Sequence, residues 1–149
     1  MLSQLKERMD YFIELDKKNG GKKHHVLYIE PDYDCLLWEE DTVICGRNPD
    51  GFNFLDSENE DKYDVILEKD KEIDDWLYKF EECCLIPIST GEVEREELCF
   101  DWDGFHLEGL QIALRIANQL PPECELWYTT PYEDASETIP EAILVKKAV

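Results

Sequence analysis

The segment HVLYIEPDYDCLLWEEDTVICGRNPDGFNFL, residues 25–55, decides the fold class. Four short apolar runs stand in it: His25–Ile29, Asp34–Trp38, Thr42–Cys45 and Phe52–Leu55. Each is strand length and rich in β-branched or aromatic residues. Asn48-Pro49 and Asp50-Gly51 supply turn chemistry, the latter pair being suited to a hairpin. The runs follow one another too closely for helices to intervene, so the segment predicts an antiparallel meander.

Helical periods flank this core. Leu2, Leu5, Met9, Phe12 and Ile13 share one face of an amphipathic helix over residues 1–21, which Asn19-Gly20-Gly21 stops. Ile73, Trp76, Leu77, Phe80 and Cys84 repeat at helical spacing in a second helix. In a third, Leu107, Leu110, Leu114 and Ala117 form a stripe widened by Ile116 and Leu120. Asp103 is the expected N-cap of that helix. Pro121-Pro122 ends it, because proline removes a backbone donor and clashes with the preceding turn. Thr90-Gly91 marks a further turn, and Val65–Leu67, Leu98–Trp102, Cys124–Thr129 and Ala142–Val145 read as further strands. The section 98–129 then reads as a strand–helix–strand crossover unit. The whole predicts one α+β domain over residues 1–149: a largely antiparallel sheet of five or six strands with about three packed helices.

Charge narrows the function. The chain has 149 residues, 36 acidic and 15 basic, for a net charge of −21. Residues 1–23 carry six bases against four acids, whereas residues 30–103 carry 25 acids against six bases. Such a surface repels nucleic acid and anionic membrane, whose phosphates need lysine and arginine contacts. It attracts basic proteins and steers their approach. Hydrophobic residues make up 43%, enough to build a core and argue against disorder. No 18-residue apolar run and no signal-peptide core is present, which predicts a cytoplasmic protein. Six cysteines without CxxC or zinc spacing read as small buried thiols in a reducing compartment.

Catalytic patterns are sparse. His24, His25 and His106 fall in no metal-binding motif, and no glycine pattern cradles a phosphate, so no cofactor or metal is expected. Counted from Asp56, an EF-hand would need glycine at position six and glutamate at position twelve, where Asp61 and Leu67 stand. Phe100-Asp101-Trp102-Asp103-Gly104, after an apolar run, resembles the nucleophile motif of haloacid-dehalogenase phosphatases. That resemblance implies Asp101 as nucleophile and Asp103 as acid/base with Mg²⁺. The likeness is partial: Phe105 stands where that family has Thr or Val, and only 46 residues follow Asp103. The plainer reading makes Asp101 and Asp103 solvent-facing residues at a helix start, and the protein no enzyme.

More prominent is acid interleaved with aromatic residues. Trp38 precedes Glu39-Glu40-Asp41, and Phe52 and Phe54 precede Asp56, Glu58, Glu60 and Asp61. Asp74 and Asp75 precede Trp76 and Tyr78. Glu92, Glu94, Glu96 and Glu97 lead into Phe100, Asp101, Trp102 and Asp103, and Tyr128, Tyr132, Glu133 and Asp134 close the set. Carboxylates beside rings suit an interface that clasps arginine and lysine. The twelve carboxylates of residues 56–61, 74–75, 92–97, 101 and 103 are the expected partner-binding residues.

The general plan resembles the cytosolic immunity proteins of bacterial polymorphic toxin systems, in particular those of contact-dependent growth inhibition. The local likeness is in the C-terminal third. There Asp101-Trp102-Asp103-Gly104 leads into a helix ending at Leu120-Pro121, followed by Glu125-Leu126-Trp127-Tyr128 and Thr130-Pro131-Tyr132-Glu133-Asp134. The resemblance implies one-to-one neutralisation of a cognate basic toxin domain, often a nuclease, by a monomeric inhibitor. A regulatory or nucleic-acid-mimicking module that binds many basic proteins is the alternative, and a small Mg²⁺-dependent enzyme the third reading.

Overall fold

A computed structural model describes residues 2–21, 23–48, 51–63, 65 and 71–149. The described elements run α1 (Ser3–Lys18), β1 (His25–Asp32), β2 (Cys35–Glu39), β3 (Thr42–Asn48), β4 (Gly51–Phe54), α2 (Ser57–Tyr63), α3 (Lys71–Phe80), α4 (Ile86–Ser89), α5 (Trp102–Ala117), β5 (Cys124–Thr129) and β6 (Ala142–Lys146). The strands form one six-stranded sheet in the order β4-β3-β2-β1-β5-β6. The meander β1–β4 is antiparallel throughout, as residues 25–55 predict. The α+β class with a largely antiparallel sheet is therefore the observed one. The exception is at the centre, where β1 lies parallel to β5 with His25 opposite Cys124 and Ile29 opposite Tyr128.

Both central strands are buried on both faces, which is why HVLYI and CELWY are continuous apolar runs. Leu27, Ile29, Leu126 and Tyr128 face the larger core, under α3 and α5. Val26, Tyr28 and Trp127 face a smaller one, capped by Leu5 and Phe12 of α1. Arg8 of α1 forks onto buried Glu125, Nε to Oε2 at 2.9 Å and Nη2 to Oε1 at 2.8 Å. Trp127 Nε1 donates to the same carboxylate at 3.0 Å. Burial alone would raise Glu125, but these donors hold it below the ordinary carboxylate range. Ile13, placed on the apolar face by its spacing, is half exposed, so the buried stripe of α1 is narrower than its sequence suggests.

α3 buries Ile73, Trp76, Leu77 and Phe80. Its axis continues through a π-helical turn, Glu81–Leu85, that keeps Cys84 buried, so the predicted second stripe is the observed one. α5 is different. Its buried face is Trp102, Phe105, His106, Gly109, Ile112, Ala113, Ile116 and Ala117, while Leu107 and Leu114 are exposed. The expected N-cap is also displaced. Asp101, not Asp103, caps α5, its Oδ1 accepting from Gly104 N at 3.1 Å.

Leu98–Trp102 is not a strand. Leu98, Phe100 and Trp102 point inward alternately, as the period predicts, but the segment pairs with no described strand and Trp102 already opens α5. The crossover unit expected over 98–129 therefore does not form, and β5 instead joins β1. Val65 is buried but lies in no described strand, and residues 66 and 67 of that expected strand lie outside the described residues. Of the cysteines, Cys45, Cys84 and Cys124 are buried, Cys35 is half-buried, and Cys83 and Cys99 are exposed. No described helix is long and apolar enough to cross a membrane.

Candidate acidic docking face

Where β1 and β5 run parallel, their carboxyl ends leave the sheet side by side. Chains diverging at such a point open a crevice. Glu30 from β1 and Thr130, Pro131 and Tyr132 beyond β5 border a cleft of about 310 Å³ here. Arg95, Asp134, Glu137 and Glu141 complete its charged lining.

Arg95 welds two loops together at this cleft. Its Nη2 donates to the Asp134 carbonyl at 3.1 Å and its Nε to the Tyr132 carbonyl. Its guanidinium lies 4.9 Å from the Tyr132 ring centroid, a cation–π distance. The segment 92–97 is thereby held against 132–134. On the far side of Arg95 a second cleft, about 290 Å³, is bordered by Glu96, Leu98, Phe100, Trp102 and Ser136.

Beneath the rim lies a buried polar network. His106 Nδ1 is 2.8 Å from the Tyr128 hydroxyl, and its Nε2 is 2.7 Å from Asp134 Oδ2. Asp134 Oδ1 accepts from the Ser136 amide at 2.8 Å and from its hydroxyl at 2.5 Å. The Trp102 ring stacks on His106. Burial works to raise Asp134, but the Ser136 and His106 bonds outweigh it and hold the carboxyl below its ordinary range. Burial, then the Asp134 charge, pushes the Tyr128 phenol upward. His106 and Asp134 side chains are 1% and 2% exposed, so the chain Tyr128–His106–Asp134 is almost wholly buried. It pins the 131–136 loop to α5 and β5 and shapes the rim above.

The rim is crowded with like charge. Burial raises Glu30, and the neighbouring Asp32 raises it further. Glu133 is likewise raised by burial and by Asp32 and Glu30, with Arg95 opposing. Two exposed rings flank these carboxylates: Tyr33, 57% exposed in the β1–β2 turn, and Tyr132, 73% exposed. Nearby, Arg47 is already engaged, with Nη1 2.5 Å from Asp34 and 2.7 Å from Glu81, and Nε 3.0 Å from Asp74.

The expected binding residues divide among these surroundings. Glu92, Glu94, Glu96 and Glu97 are exposed on the loop that Arg95 ties to Tyr132. Asp101 and Asp103 are exposed at the start of α5, Asp101 giving one oxygen to the cap. Asp74 is bound by Arg47, while Asp75 is exposed on α3. Asp56 and Glu58 are exposed at the start of α2, beyond edge strand β4, where the Glu58 amide donates to Asp56 at 2.8 Å. The side chains of Glu60 and Asp61 lie outside the described residues. The rings paired with these acids in sequence are mostly sealed: Phe54, Trp76 and Trp102 are buried, and Trp38 is half-buried against Tyr28. Phe52 lies outside the residues with described side chains. Exposed rings beside acids are Tyr11 on α1 and, elsewhere, Tyr33, Tyr78 and Tyr132.

Glu30 and Asp32 escape a sequence reading because only the parallel pairing of β1 with β5 brings them to Glu133. The signal available was Pro31, which ends an apolar run between two acids. Among the described residues no three His, Cys, Asp or Glu side chains converge as a metal site. No protein-family model, no curated protein and no solved structure matches this chain.

Proposed function

We propose that this chain is a cytoplasmic, non-enzymatic inhibitor of the immunity-protein kind, which neutralises a basic toxin domain by seating it on the acidic end of the sheet. The observation that carries the reading is the gathering of Glu30, Glu137 and Glu141 with exposed Tyr132 around one cleft, beside Asp32 and Glu133, whose charges bear on one another and on Glu30. Crowded carboxylates repel one another, and an incoming cation relieves that repulsion. The cleft, about 310 Å³, suits one long basic side chain rather than a large ligand. An arginine entering it would find carboxylates for charge-assisted bonds and the Tyr132 ring for stacking. Glu92, Glu94, Glu96 and Glu97, beside it, would act mainly on the rate of encounter. A partner that uses basic residues to hold nucleic-acid phosphate would lose them to this face, which is how binding alone would inhibit a nuclease.

The test is affinity capture followed by mass spectrometry with three forms of the chain: wild type, Glu92/Glu94/Glu96/Glu97→Lys, and a control reversing Glu7, Asp10 and Glu14 on exposed α1. The expected result is one dominant basic protein retained by wild type and control and lost with the loop reversal. Equal loss from both variants, or a broad set of basic proteins retained in proportion to net charge, would contradict a specific inhibitor.

A further inference from the structure

The stripe Leu107, Leu110 and Leu114 on α5 is not consumed by the core. Leu107 and Leu114 are 61% and 53% exposed, and Leu110 is only partly buried. The flank of α5 that faces α3 is the opposite one: Glu108 meets Lys79 at 3.4 Å and Arg115 meets Glu72. Since α5 packs over β5 and β6 while α3 packs over β1 and β4, the leucine row overhangs the outer edge of β6. That edge is open. Among the described residues β6 pairs with β5 on one side and with no strand on the other. Ile143 and Val145, on the face under α5, are only partly buried, and Leu144, on the other face opposite Trp127, is 41% exposed. An apolar open edge continuous with an apolar helix flank is what natural sheets ordinarily avoid or cover.

The residues of this edge identify what covers it. Residues 141–147 read Glu-Ala-Ile-Leu-Val-Lys-Lys. Laid antiparallel on itself about Leu144, β6 places Ile143 opposite Val145, and continued one residue beyond each end it places Glu141 opposite Lys147. Both ends of the ladder then carry opposite charges directly across, the favourable arrangement for cross-strand pairs. The local balance also permits it: residues 141–149 hold two lysines and one acid in a chain of net charge −21. A two-fold interface must be complementary to itself, and this strand is.

We propose that the outer edge of β6, with the Leu107–Leu110–Leu114 flank of α5, is a homodimer interface in which β6 of a second copy pairs antiparallel about Leu144. The six-stranded sheets become one continuous twelve-stranded sheet, and the leucine rows of the two α5 helices meet above the junction. Glu141 also lines the acidic cleft, whereas Leu107, Leu110, Leu114, Leu144 and Lys147 do not, and self-association of the chain alone needs no basic partner.

Sedimentation velocity on the full chain alone tests it. Wild type sediments as a dimer. Glu141→Lys, a change at an exposed position, sets lysine opposite lysine at both ends and raises the dimer dissociation constant on the order of tenfold. Lys147→Glu does the same, and the double variant Glu141→Lys/Lys147→Glu recovers wild-type affinity. Leu114→Glu sediments as a monomer with an unchanged far-ultraviolet circular dichroism spectrum. A wild-type monomer at every concentration, a dimer indifferent to the single reversals, or a double variant no tighter than the singles would each overturn the proposal.

Discussion

α3 and α5 lie side by side on one face of the sheet, yet their apolar stripes meet different fates. In α3 the residues at helical spacing, Ile73, Trp76, Leu77 and Phe80, are the residues the core takes. In α5 two apolar faces compete, and the core takes the one with Phe105, Gly109 and Ile112 rather than the leucine row. The choice is made by Gly109. Its missing side chain lets Trp76 and Tyr128 close on the helix, and Trp76 lies 4.5 Å from Phe105, stacked, with its Nε1 donating to the Phe105 carbonyl at 2.9 Å. Periodicity predicts that a helix is amphipathic; where two stripes are available, close approach to a neighbour selects between them.

Truncating one residue from each stripe should separate the two helices by the widest margin. Trp76→Ala should cost about 3–5 kcal/mol in urea unfolding, the range for emptying a buried aromatic site. Leu114→Ala should stay within about 0.5 kcal/mol under conditions where the chain is monomeric, as for an ordinary surface position. Comparable losses would mean that α5 is packed on its leucine face. Next comes Gly109→Ala. Alanine ordinarily favours a helix over glycine, by about 1 kcal/mol. Here its Cβ would lie 2.5 Å from the Tyr128 hydroxyl and 2.7 Å from Trp76 Cζ2, so overpacking should reverse the sign and destabilise by about 1–3 kcal/mol.

A smaller effect probes the same contact region through pH. The folded carboxyl of Asp134 titrates below its ordinary value of 3.8, so its contribution is full above that value and is lost as pH falls through the depressed one. Asp134→Asn should therefore lower stability near neutral pH and flatten the acid limb of stability against pH. A limb as steep as wild type would show that the His106 and Ser136 bonds do not hold the charge. The effect is expected to be the smallest of the three because the substituted amide would keep part of the hydrogen bonding.

Much of this fold was legible in the sequence, and the losses have identifiable causes. The meander over residues 25–55 was readable because its strands are local; Pro49 and Asp50, at its expected last turn, lie outside the described residues. The α3 stripe was readable because only one apolar face exists there. Leu98–Trp102 misled because side-chain alternation reports which residues point inward, not whether another strand is within reach. The cap was misplaced between Asp101 and Asp103 because two aspartates two residues apart both fit a helix start, and the tie was broken by Gly104, whose amide the Asp101 carboxylate reaches.

The acidic face was half legible. The run Glu92–Glu97 was visible as a charge cluster, but its attachment to Tyr132 depends on Arg95, a single base among acids. Glu30, Asp32 and Glu133 come together only because strands about a hundred residues apart in sequence lie parallel. The rings expected beside the acids were mostly needed by the core, since aromatic area is the largest apolar contribution a chain of this size can bury. Tyr33 and Tyr132 escaped because both sit in turns at the end of the sheet.

Whether the partner sits at this end of the sheet can be read from a hydrogen-exchange footprint of the chain, alone and with its captured basic partner. Added protection confined to residues 30–34, 92–97 and 131–137 is the expected result. Protection centred on α1 or on the start of α2, with those three segments unchanged, would contradict it.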